Sequence, residues 1–315
     1  MAISVFDCHA DTPVLLWRKN QSLRENDCCV SLNRASGLAH YAQFFAYCTY
    51  AGLQLPNGLC CADFYTKPRE YMERQLRLCQ DTVRFCVTAQ QVEQAWEEQK
   101  AAALYSLEGP EAIACDPGRL EQLWREGVRM TTLTWNADNA LAGCHMGAQL
   151  GLSELGREYV IRAQRLGMIV DVSHCSDRAF WGILDAATRP VIASHSNSRA
   201  VMPHSRNLTD EMFDALCQTG GLTGINLYAD FLCEKEATFE NVYAHIDHFL
   251  QRCGTDTHVA LGGDLDGCET MPQGFSHVGD YASLSEYLLE KYPRETVENL
   301  FYRNILRVMR EVNHE

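Results

Sequence analysis

The chain has 315 residues, room for two average domains or one large one, and its hydrophobic content of 46% is that of a globular protein with a full core. A net charge of −14 sets it against nucleic acid and anionic membrane as partners, because both would repel it; the charge serves solubility. The 15 cysteines include the adjacent pairs 28–29 and 60–61 but no CxxC, which argues against a zinc ribbon or thioredoxin motif and for reduced thiols buried as small hydrophobes.

The opening MAISVFDCHAD lacks the basic and apolar regions of a signal peptide. No apolar run nears the roughly 20 residues that span a membrane, so a cytoplasmic protein is expected. In chain order, an apolar run at residues 3–6 ends at Asp7-Cys8-His9-Ala10-Asp11, and Thr12-Pro13 opens a helix. Residues 20–36 read as a polar loop, and residues 41–47 (YAQFFAY) as a second strand. Apolar positions at helical spacing mark helices over 66–80 and 89–100. Residues 101–107 (AAALYSL) form a third strand ending at Glu108-Gly109, with a helix near 117–126. Residues 128–134 (VRMTTLT) form a fourth, followed by a long loop over 135–151.

The second half is more regular. A helix over 153–166 carries Ser153 as its N-cap. Two apolar runs, in 168–176 (MIVDVSHCS) and 190–198 (PVIASHSNS), give strands five and six, each ending at a histidine, with a helix over 176–187 between them. A helix over 209–219 has Thr209 as cap and Asp210 and Glu211 in its first turn. Strand seven (221–226, GLTGIN), a helix over 239–253 and strand eight (258–262, HVALG) follow, and helices over 281–291 and 295–312 close the chain. Eight strands alternate with helices, with no low-complexity linker and no repeat of constant period. A single (β/α)8 barrel, spanning residues 1–315, fits this better than two doubly wound domains.

Polar residues collect at the strand ends. His9 and Asp11 follow strand one, Glu108 strand three, His174 strand five, His195 strand six and Asp264 strand eight. In a barrel these ends open on one mouth. A lone histidine there is more often structural. Three imidazoles and two carboxylates converging favour a divalent metal, most simply zinc. Placement decides this rather than number, because His40, His204, His245, His248, His258 and His277 follow no strand in this way. Cys8 and Cys175 flank ligand-type histidines, and strand alternation should turn them to the barrel wall. Asp7 is a candidate support for a ligand histidine.

DCHADTP (7–13), SLEG (106–109), LTWN (133–136), DVSHCS (171–176), PVIASHSNSRAV (190–201), RNLTDE (206–211), GGDLDG (262–267) and the closing NILRVMREV (304–312) resemble the membrane (renal) dipeptidase family, metallopeptidase family M19. The resemblance is colinear over nearly the whole chain. It implies a (β/α)8 TIM barrel of the metal-dependent hydrolase type with two zinc ions: His9 and Asp11 on one, His174 and His195 on the other, Glu108 between them. It also implies Arg206 as the substrate-binding arginine and Asp264 as the aspartate beside the bridging water. From this follows a dipeptidase in which a hydroxide shared by two zinc ions attacks the peptide carbonyl. Asp264 relays its proton to the leaving amine, Glu108 stands among the catalytic groups, and Arg206 holds the C-terminal carboxylate. A C-terminal D-residue and a homodimer are further expectations of the resemblance.

One position departs from the family. Where many members carry a histidine after strand four, this chain has Trp135, as do bacterial relatives of an LTWN type. An indole offers one N–H and no charge. Trp135 and Asn136 are therefore candidate substrate-binding residues, with the indole either donating or only lining the pocket. Asp138, Asn139 and His145 lie in the same loop as substitutes for the missing histidine. Two other functions stay open: a zinc hydrolase of N-acyl amino acids or related amides, and a metal-binding barrel without turnover. Retention of all five ligands and Asp264 weighs against the last.

Overall fold

The computed structural model describes residues 2–55 and 58–313. Nine parallel strands lie among the described residues: β1 (Ser4–Ala10), β2 (His40–Cys48), β3 (Val83–Phe85), β4 (Ala101–Glu108), β5 (Val128–Thr132), β6 (Ile169–Asp171), β7 (Val191–Ala193), β8 (Leu222–Ile225) and β9 (Val259–Leu261). Eight of them close a barrel in the order β2-β1-β9-β8-β7-β6-β5-β4, with β2 pairing β4 to complete the circle. Helices follow the strands, so the expected (β/α)8 architecture holds.

β3 is the strand that sequence periodicity does not reveal. It is three residues long and pairs only with the start of β4, at Ala101–Ala103, before β5 takes up the same edge from Tyr105 onward. The polar loop at 20–36 contains a short helix, Leu32–Ala35. The last helix is interrupted by a π-helical turn at Asn299–Arg303. Ser153 and Thr209 are caps as expected, accepting from the backbone N–H of Gly156 and Met212.

Inward side chains form one buried cluster that includes Phe6, Cys8, Ala42, Phe44, Leu104, Met130, Ile169, Ile192 and Leu222. Outward ones, among them Val5, Tyr41, Phe45 and Val170, pack against the helices. Each large apolar side chain buried this way contributes about 1.5–3 kcal/mol. Cys8 therefore faces the barrel interior, not the wall. Its strand shifts register between Asp7 and Ala10, and that bulge re-aims the residues that follow towards the mouth. Cys175 packs with the outer cluster, the side expected of it, although it lies in the turn beyond the end of β6, where strand alternation no longer decides.

Two local devices seat the strands that carry the site. A Cβ at Gly224 or Gly262 would fall 2.0 or 1.8 Å from the Ser194 carbonyl oxygen, so glycine there lets the end of β7 sink into the barrel. The seam between β1 and β9 holds a single in-register pair, Asp7 with Leu261. The buried Asp7 carboxylate pins it, accepting from the His9 N–H (2.9 Å), the Gly263 N–H (3.1 Å) and the Tyr281 hydroxyl. Burial pushes its carboxyl up to about 6. Asp7 thus supports His9 through the backbone rather than through the ring.

Candidate metal centre

β1, β4, β6, β7 and β9 each deliver a side chain to the mouth. His9 Nε2 lies 3.7 Å from Glu108 Oε2, 4.0 Å from Asp11 Oδ1 and 3.9 Å from Asp264 Oδ1. On the other side of Glu108, His174 Nε2 and His195 Nε2 stand 2.9 and 3.5 Å from Oε1 and 3.1 Å from each other. The His9 and His195 rings stack with centroids 3.9 Å apart. His9, Asp11, Glu108, His174 and His195 are all buried. His174 and Asp264 have φ of 67° and 55°, left-handed backbone that a non-glycine residue holds only where its surroundings enforce it.

The ring orientations of the β6 and β7 histidines are fixed from behind. Ser194 Oγ donates to Asp171 Oδ2 (2.6 Å), so at 2.6 Å from His195 Nδ1 it accepts that ring's proton. Asp171 also accepts from Thr132 Oγ1 and from the backbone N–H of Ser173 and Ser194. Asn136 Oδ1 accepts the Nδ1 proton of His174 at 2.9 Å and stands 3.2 Å from His145 Nε2, whose ring in turn meets Ser205 Oγ at 2.9 Å. Both ligand-type rings therefore carry their proton on Nδ1 and present a bare Nε2 lone pair to the centre.

Two lone pairs at 3.1 Å repel unless a cation lies between them and Glu108. Among the described residues, His9 Nδ1 and Nε2, Asp11 Oδ1 and both Glu108 oxygens are buried without a hydrogen-bond partner. Orphaned buried polar atoms cost about 1–3 kcal/mol each and are rare in the absence of a ligand. The carboxyls behave accordingly. Burial, together with mutual repulsion, pushes Glu108 up to about 8 and Asp11 well above the usual range, while burial, eased by Arg206, leaves Asp264 at about 6. Burial and the Arg206 charge hold His9 down to about 3, and His174 and His195 far below their usual value. The carboxyls ionise comfortably only once positive charge is supplied, the imidazoles stay neutral with their lone pairs available to it, and the donor set fits divalent metal on both sides of Glu108.

The remaining candidates surround this centre. Asp264 Oδ2 accepts from Asn226 Nδ2 at 3.0 Å. Arg206 is buried; its Nη1 donates to Ser196 Oγ at 2.8 Å, while Nε and Nη2 have no partner. Trp135 meets Tyr50 edge-on and lines a cavity of about 680 Å³ with Asp11, Glu108, His174, Phe231 and Asp264. Asn136 touches the back of His174, which makes it a support of the centre as well as a wall of the cavity. Residue types at strand ends pointed to the ligands. They did not point to Asp171, Ser194 or Asn226, whose contribution lies in bonds made across strands.

A profile described as membrane dipeptidase (peptidase family M19) matches residues 1–315. Dipeptidase tcpJ of Claviceps purpurea is 34% identical over 250 residues, 77% of this chain and 58% of its own length. An uncharacterized dipeptidase of Schizosaccharomyces pombe is 35% identical over 213 residues, 66% of this chain and 52% of its own. The chain thus spans only part, between 52% and 58%, of these two relatives. Among solved structures, a family M19 metallo peptidase, dipeptidase AC, superposes with a TM-score of 0.90 at 26% identity, with full coverage of both chains. A metallo peptidase from Rhodobacter sphaeroides, liganded with a phosphinate mimic of the dipeptide L-Ala-D-Ala, superposes with a TM-score of 0.89 at 25% identity, covering 99% of this chain and 100% of that one.

Proposed function

This chain belongs to the membrane dipeptidase family, peptidase family M19, and on that premise we propose that it hydrolyses the peptide bond of dipeptides with two zinc ions at the barrel mouth. The observation that carries the proposal is the set of buried, unpartnered donors around Glu108, together with the buried Arg206 guanidinium, whose charge acts on both Glu108 and Asp264. His9, Asp11 and Glu108 would hold one ion, and His174, His195 and Glu108 the other. Bound zinc supplies a Lewis acid and lowers the pKa of water from about 15.7 towards 7.

The chain's own groups do the rest. The Arg206 guanidinium, with Nε and Nη2 free, pairs with the substrate's C-terminal carboxylate and fixes how far the peptide extends past the scissile bond. Asp264, held near neutrality at about 6, takes a proton from the attacking water and delivers it to the leaving amine. Asn226 keeps Oδ2 of that carboxylate occupied, so Oδ1 faces the centre. Asn136 and Ser194 keep both imidazoles in the tautomer that binds metal. Trp135 and Phe231 close the cavity walls around the substrate side chains.

The test is a panel on zinc-loaded protein: L-Ala-L-Ala, L-Ala-D-Ala and N-acetyl amino acids. Turnover of the dipeptides is expected, the D-Ala substrate included, which the ligand of the Rhodobacter sphaeroides structure supports. N-acetyl amino acids turned over in preference would move the substrate to that class. Loaded protein that turns over none of them would refute the enzyme reading.

A further inference from the structure

One polar group at the mouth has no part in the scheme above. Cys48 ends β2 and is the register partner of Glu108, which ends β4. Along these two strands Ala42 pairs with Ala102 and Phe44 with Leu104, and all four face the barrel interior. By the same alternation the next pair but one, Cys48 and Glu108, points inward together at the top layer. Cys48 is 1% exposed, and its Sγ lies within 4.8 Å of donor oxygens of both Asp11 and Glu108. Among the described residues, Asp11 Oδ1 and both Glu108 oxygens are buried atoms without a hydrogen-bond partner.

We infer that Cys48 is a further ligand of the metal held by His9, Asp11 and Glu108, giving that ion a sulfur donor that the His174–His195 ion lacks. The inference rests on the binuclear reading of the site. Ligation forms one sulfur–metal bond and releases the thiol proton to solvent, with no change of oxidation state. A thiolate turns an otherwise nitrogen-and-oxygen site towards zinc, cobalt and cadmium and away from manganese and magnesium, so the two halves of the centre differ in metal preference. The other thiol at the cavity, Cys268, contacts the Gly263 carbonyl oxygen at 3.8 Å and Asn226 Oδ1 at 3.9 Å and lies against the Asp264 carboxylate.

The experiment is loading of the full chain with cobalt(II), followed by absorption, with bound cobalt counted separately. The wild type should show a near-ultraviolet sulfur-to-cobalt charge-transfer band, and Cys48→Ser and Cys48→Ala should lose it. Cys48→Ser should also bind cadmium at least about tenfold more weakly at one of the two equivalents, the lower end of the loss that supporting residues of metal sites produce. Manganese affinity should change less than the cadmium value. Two bound cobalt ions without the band in the wild type overturn the inference and leave the binuclear reading standing. A band that survives in both variants overturns it too and implicates Cys268. Failure to bind cobalt at all overturns the binuclear reading itself.

Discussion

At the scale of single residues, the proposed site separates groups that would hold metal from groups that would handle substrate. Asp264 is supported by Asn226 through one oxygen and stands 3.9 Å from His9 through the other. Asp264→Asn should therefore keep bound metal and lose roughly 10²–10⁴-fold in kcat, the range for a general acid–base group. Activity within tenfold of wild type would remove it from the proton path. Arg206→Met should raise KM for dipeptides roughly 10–100-fold, because a charge-assisted bond to carboxylate is worth about 1.5–3 kcal/mol. Dipeptide amides, which lack that carboxylate, should be insensitive to the change; equal losses on both substrates would make Arg206 structural. His9, Asp11, Glu108, His174, His195 and Asp264 were legible because each is a ligand or acid–base side chain directly after an apolar run. Asp171 was not, although four hydrogen bonds converge on it, because nothing in DVSH distinguishes an aspartate that faces solvent from one that organises two neighbouring strands.

At the scale of elements, the barrel strands and the capped helices were readable, since Ser153 and Thr209 are cap-type residues placed directly before helical patterns, and both accept a backbone N–H in the structure. β3 and the π-helical turn were not. A three-residue strand has too few positions for alternation, and a π turn differs from an α turn by one inserted residue that no periodicity isolates. His245, one of the histidines with no strand-end placement, shows how a helix is tied in. Its Nδ1 accepts from the Ser198 N–H and its Nε2 donates to the Leu232 carbonyl, both at 3.1 Å. Burial lowers it from 6.5 to about 4. Below 6.5 the unfolded chain binds a proton that the folded one refuses, so this contribution is complete above pH 6.5 and is lost as pH falls towards 4, by about 3 kcal/mol in all. Urea midpoints across that window should fall less steeply for His245→Gln than for wild type. Identical slopes would mean that another group carries the acid sensitivity.

At the scale of the whole molecule, the metal centre and the fold are one system. Its proposed ligands come from residue 9 to residue 195, so loading it ties distant strands together, and stripping it leaves like charges and bare lone pairs facing one another. Chelation should lower Tm and readdition of zinc should restore it. At free zinc about 100 times Kd the linkage is worth about 2.7 kcal/mol, roughly 5–10 °C for a domain near this size. Elemental analysis after zinc loading should give about two equivalents; less than half an equivalent would remove the binuclear centre. The overall barrel was legible because an α/β rhythm without a linker has few solutions at this length.

The seam pinned by Asp7 has a consequence for how the protein is made. β1 leaves the ribosome before the other strands of the barrel, but its partner β9 and the Tyr281 hydroxyl come about 250 residues later. Synthesis of the intervening stretch takes roughly 10–50 s at the usual rate of elongation, and throughout it one flank of β1 has no strand to pair with. An unpaired strand edge is a template for any other nascent chain nearby. The barrel has no such edge at β1 once closed, so its interval of greatest exposure to aggregation falls during translation and ends when the last quarter of the chain arrives.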